Sequence, residues 1–120
     1  MRPDFRLRTS INRALYARRA SLTGEEWFER FWQPRGISRQ IVEFVYERLS
    51  CYSGLRWGLT VPSDRLLEDL QLPLVCWFDW ELDFCDELSQ ELGIQLEDPS
   101  LLEKAETVEE FLAFLHSQFR

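Results

Sequence analysis

Asp79, Asp83, Asp86 and Glu87 are the densest set of chemically useful side chains in this sequence. On a helix turning about 100° per residue they fall on one side, away from a stripe of Phe78, Leu82 and Cys85. Such a row attracts a cationic partner surface. It does not enclose a calcium ion, because a helix supplies no loop carbonyls to complete the oxygen shell. Other chemistry is sparse. His116 is the single histidine, lies near the end of the last helical segment and is expected at the surface. Cys51, Cys76 and Cys85 have no histidine nearby in sequence and no metal-ligand spacing. There is no glycine-rich phosphate loop and no nucleophile elbow. No catalytic, metal or cofactor residue is therefore expected, and the chain reads as a non-enzyme.

Arginine supplies the opposite charge. Residues 1–19 hold six arginines against one acid, a net +5, whereas residues 20–120 hold eight basic and twenty acidic groups, a net −12. Arg6, Arg8, Arg13, Arg18 and Arg19 thus form a basic arm on an acidic body. Guanidinium forks suit carboxylate and phosphate alike. The arm either docks on an acidic protein surface (this chain's own acidic helix in a neighbouring subunit included), binds nucleic acid, or merely solubilises. Nucleic acid is the weaker reading, because no helix-turn-helix, zinc-finger or RNA-binding signature occurs and only Phe5 and Tyr16 interleave the arginines. The acidic body itself repels nucleic acid and anionic membrane. Trp27 and Phe31 share one helical face and Phe28 and Trp32 the adjacent one, more ring surface than a single neighbouring helix covers. Trp27 and Phe31 are accordingly expected to serve a partner or oligomer interface.

The elements that must position these groups are helical. A weak helix over about 11–17, with Ser10 as a cap, should order only against a partner or the rest of the domain. Thr23 with Glu26 makes a capping box ahead of Trp27 to Trp32, which Pro34 and Gly36 terminate. Ser38 starts a second helix over about 39–51, with Ile41, Val42, Val45 and Leu49 on its buried face. Residues 53–75 read as a long connection broken by a short turn that Ser63 caps. Phe78, Leu82, Cys85, Leu88 and Leu92 then give the helical period, and Gly93 ends that helix. Ser100 opens a short segment, and Thr107 with Glu110 caps a last helix through Phe119. Leu72 to Trp77 is the one strand candidate, weakened by Pro73. The fold class expected is all-α.

The order of these pieces carries a resemblance. Leu66 to Leu70, Glu87 to Ile94 and Glu103 to Val108 follow one another as the corresponding segments do in acyl carrier proteins. The resemblance covers about Ile41 to Phe119. It implies an acyl carrier protein-like helical bundle over 38–120, with a basic arm and aromatic helical extension over 1–37. Where that family places Asp-Ser-Leu at the head of its recognition helix, this chain has Val75-Cys76-Trp77-Phe78-Asp79-Trp80. Without a hydroxyl the site cannot accept phosphopantetheine. The chain therefore resembles degenerate bacterial carrier-like proteins rather than a working carrier, and implies no cofactor. What such a protein keeps is the family's acidic docking face.

Together these features predict a cytoplasmic protein–protein interaction or adaptor domain that binds through the acidic helix, the aromatic extension, or both. Apolar runs are too short to span a bilayer, and residues 1 onward lack the apolar core of a secretory signal. Three cysteines without close pairing fit reduced thiols. Two other readings stay open: a nucleic-acid-associated regulator working through the arm, and a carrier whose attachment serine is atypical.

Overall fold

The computed structural model describes residues 2–119, which are mostly helical, with no β-strand among them. Six α-helices follow in chain order: α1 (Phe5–Tyr16), α2 (Gly24–Trp27), α3 (Arg39–Ser53), α4 (Leu72–Val75), α5 (Trp80–Leu92) and α6 (Val108–Gln118). A π-helical turn, Phe28–Trp32, extends α2, and 3₁₀ turns occupy Trp57–Leu59 and Pro99–Lys104. The class is all-α, as expected. The strand candidate is instead the short helix α4. No helix among the described residues is long and apolar enough to cross a membrane.

Local signals place several helix ends. Thr23 Oγ1 accepts from Glu26 N at 3.2 Å while Glu26 Oε1 accepts from Thr23 N at 2.9 Å, completing the capping box. Thr107 Oγ1 likewise accepts from Glu110 N, but Glu110 turns its carboxylate one residue upstream to Glu106 N. Gly93 closes α5 at φ 69°, a left-handed conformation that costs a residue with Cβ more than glycine. Ser38 departs from expectation. Its side chain caps nothing, and its N–H donates to His116 Nδ1 at 3.2 Å, so the half-buried His116 ties α6 to the start of α3.

The arm helix orders against the rest of the domain, one of the two outcomes expected of it, but α1 starts six residues earlier than expected and packs on α4 and on the 57–59 turn. Asp4 caps it, accepting from Leu7 N at 2.9 Å, and Asp4 N donates to Leu74 O. Ile11 and Leu15 enter the same hydrophobic cluster as Trp27, Trp32, Leu49, Phe84 and Leu112. Residues 1–37 and 38–120 therefore share one core. Each large side chain fully withdrawn from water there contributes roughly 1.5–3 kcal/mol.

The 53–75 connection is also more than a linker. Leu55, Trp57, Leu59, Leu66 and Leu70 are buried within it, and the short turn forms, closed by Asp69 N and Leu70 N to Arg65 O, without a side-chain cap from Ser63. Its backbone is tied to the start of α6 by Leu66 N to Glu106 O, Val108 N to Asp64 O and Glu109 N to Pro62 O. These contacts hold α4, and hence the entry into α5, in place.

Candidate functional site

The outward face of α5 carries the charge that the sequence promised, together with apolar groups it did not. Asp79, Asp83 and Asp86 are exposed and take part in no ion pair among the described residues. Phe78 and Leu82, expected in the core, are 69% and 55% exposed, and Trp77 is 52% exposed. The buried stripe of α5 is Trp80, Phe84 and Leu88. Rings of α3 select that register: Phe44 meets Phe84 at 5.3 Å between centroids, and Tyr52 meets Trp80 at 6.5 Å and Phe84 at 6.4 Å. Cys85 and Leu92 are only half-buried beside it.

Glu87 separates from the other three carboxylates. It faces α3, where Tyr52 Oη donates to Glu87 Oε2 at 2.6 Å. Arg48 Nε stands 2.5 Å from the same oxygen as an ion pair without hydrogen-bond geometry, and Arg48 also pairs with Glu91 and Glu47. Glu87 thus joins α5 to α3 and is removed from the docking set. Burial, with Glu87 as the adjacent anion, pushes the Tyr52 hydroxyl pKa upward.

Beside the face lies an apolar groove of about 480 Å³. Leu66, Leu72, Leu102 and Phe111 are among its lining residues, with the exposed Leu67 and Phe78 at its margin and Glu81 and Glu103 as its acidic members. Burial, aided by the Glu103 carboxylate, raises Glu81 to about 7. Leu82 borders a second cleft, shared with Cys85, Asp86 and Leu96. The head of α5 accordingly offers ring and aliphatic surface between two depressions, flanked by carboxylates. It is suited to a segment with apolar anchors and nearby positive charge.

Other expected site residues go elsewhere. Trp27 is fully buried, and its Nε1 donates to Thr60 O at 3.0 Å. It is a core residue, because an indole that fills the interior and finds a backbone acceptor has no surface left to offer. Phe31 is half-buried against the core. Arg8 spends its guanidinium on two carbonyls, Nε to Val75 O at 2.8 Å and Nη2 to Tyr52 O at 3.0 Å. Arg19 grips Asp64 through both Nη atoms, at 2.6 and 2.9 Å, and donates to Leu59 O at 3.0 Å. The hydrogen bond to Asp64 holds Arg19 above its ordinary pKa. Arg8 and Arg19 are thus struts of the fold rather than partner contacts. Arg6, Arg13 and Arg18 are exposed, with no ion pair among the described residues.

Arg48, Tyr52, Glu81 and Glu103 escaped sequence reasoning. Glu87 and Glu91, four apart on one helix, do signal a two-pronged acceptor for one arginine. Nothing local says that the arginine comes from α3. Burial lifts the Cys76 thiol to about 12, which suppresses its thiolate, and raises Cys85 as well. No group of three or more metal-ligating side chains forms among the described residues. No protein-family model, no curated protein and no solved structure matches this chain.

Proposed function

We propose that this chain is a non-catalytic protein-interaction domain that holds a basic, amphipathic segment of a partner on the outward face of α5. The observation that carries the proposal is the exposure of Phe78 and Leu82, 69% and 55%, among the unpaired Asp79, Asp83 and Asp86. Large apolar groups shown together at a surface mark an interaction site more often than single scattered ones do. Carboxylates around them set the sign of the partner and speed its approach, while the apolar centre supplies affinity. Each exposed charge pair contributes only about 0.2–1 kcal/mol, so several must act together. The resemblance to acyl carrier proteins agrees, since that family presents an acidic helix to basic patches on other proteins. The missing hydroxyl at Val75 to Trp80 fits a domain that has kept docking and lost cargo.

Paired variants with the purified full chain as bait test this. Asp83→Lys/Asp86→Lys and Phe78→Ser/Leu82→Ser should each abolish capture of the native partner while leaving the helical circular dichroism unchanged. Capture surviving both would remove α5 from the mechanism. Deletion of residues 1–19 is not a clean control, because α1 belongs to the core.

A further inference from the structure

The outward face of α1 is the complement of the outward face of α5. Phe5 and Tyr16 are 52% and 65% exposed, and Arg6 and Arg13 are exposed among them. At about 100° per residue Phe5, Thr9, Arg13 and Tyr16 fall within a sector of about 80°, with Arg6 at its edge. A cleft of about 430 Å³ opens along this face, lined by Thr9, Asn12, Arg13, Tyr16 and Arg56. The cleft is built rather than incidental: Asn12 Nδ2 donates to Gly54 O at 3.1 Å, and Asn12 Oδ1 accepts from Arg56 N at 2.8 Å. Two cations, Arg13 and Arg56, thus share this cleft with the exposed Tyr16 ring, and Asn12 holds its backbone in place.

We infer that the segment α5 accepts is α1 of a second copy of this chain, the aromatic and arginine face of one copy seated on the Leu82 and aspartate face of the other. The inference rests on the α5 reading above and names its partner. Spacing agrees with charge. Arg6 and Arg13 are seven residues apart, about 10.5 Å along α1 at helical rise, and Asp79, the N-cap of α5, and Asp86 are likewise seven residues apart in sequence. Asp83 stands between its pair, beside Leu82. Every copy carries both faces, so a two-fold arrangement forms the contact twice. A stable interface removes about 800 Å² from each partner. That is about a ninth of this molecule's 7152 Å². An anionic polymer fits the α1 face less well, because the remaining surface belongs to a body of net charge −12 that repels it.

Sedimentation velocity on the full chain decides the matter. At low salt and about 100 μM, where a micromolar dimer is nearly complete, wild type should sediment as a dimer that dissociates as salt rises. Arg6→Glu/Arg13→Glu and Asp83→Lys/Asp86→Lys should each weaken the dimer at least about tenfold, since like charges then face one another. Mixing these two variants should restore a heterodimer, and the fourfold reversal within one chain should restore the homodimer. The two restorations exclude simple misfolding as the cause of loss. Monomeric wild type overturns the inference, and so does failure of both restorations. An oligonucleotide retarded by wild type but not by Arg6→Glu/Arg13→Glu, with the protein monomeric, would give the α1 face to nucleic acid instead. If wild type is monomeric yet Asp83→Lys/Asp86→Lys loses partner capture, only the partner's identity fails and the α5 reading stands.

Discussion

Replacing Arg19 with Met probes whether the N-terminal segment is truly stapled to the body. The guanidinium reaches Asp64 Oδ2 at 2.6 Å, Asp64 Oδ1 at 2.9 Å and Leu59 O at 3.0 Å. Asp64 is only 5% exposed, and the Val61 N–H, at 2.9 Å, would be its remaining side-chain partner. Breaking a fully buried pair costs about 3–5 kcal/mol, whereas an exposed pair is worth about 0.2–1. The Arg19 side chain keeps 24% exposure, which places this pair between the two limits. A loss of about 2–3 kcal/mol follows. For a chain of this size that corresponds to a melting temperature lower by about 8–12 °C. Adding Asp64→Asn should return a good part of the loss, because the amide oxygen still accepts from Val61 and no unpaired charge stays inside. Arg18→Met, one residue away on the surface, should change stability by less than about 0.5 kcal/mol. Urea unfolding with tryptophan fluorescence reads all three variants. Equal midpoints for Arg19→Met and Arg18→Met would refute the staple.

Three further outcomes are expected. Gly58→Ala should destabilise by about 2–4 kcal/mol in the same unfolding assay, since its Cβ would lie 1.9 Å from Leu22 O and dislodge the Leu22 N to Gly58 O bond; an unchanged midpoint would disprove the close approach. Glu81 titrates at about 7 in the folded chain against 4.5 in its ordinary state, so the fold retains a proton that the unfolded chain has released. Its contribution to stability is therefore full below about pH 4.5 and is lost as the pH rises through about 7, and Glu81→Gln should flatten that part of the stability profile; an identical slope in both proteins would count against it. Incubation with coenzyme A and a promiscuous phosphopantetheinyl transferase should leave the intact mass unchanged, and any mass gain would revive the carrier reading.

What the sequence disclosed was mostly short-range. The Thr23–Glu26 box, the Gly93 terminus and the Thr107 cap depend on residues within one turn of each other, and the structure contains all three. The all-α class follows from the same local signals. The face of α5 was not legible, because this helix is apolar on two sides. Phe78, Leu82, Cys85, Leu88 and Leu92 fit the helical period as well as Trp80, Phe84 and Leu88 do, and the positions of α3 and α6 decide between them. For the candidate site, exposure of Asp79, Asp83 and Asp86 was foreseeable from charge, but exposure of Phe78 and Leu82 was not. The arm failed for a related reason. A guanidinium reads as a surface charge in sequence, and nothing near Arg8 shows that carbonyls of Tyr52 and Val75 are waiting for it.

The bond from Arg8 to Val75 spans 67 residues of chain. During synthesis α1 leaves the ribosome well before its backbone acceptors at Tyr52, Leu74 and Val75. In that interval Ile11 and Leu15 have no counterpart, and the nascent arm is an amphipathic, strongly cationic peptide. The residues of α1 thus reach their final surroundings only once α4 has emerged, and chaperone contact during translation should centre on them.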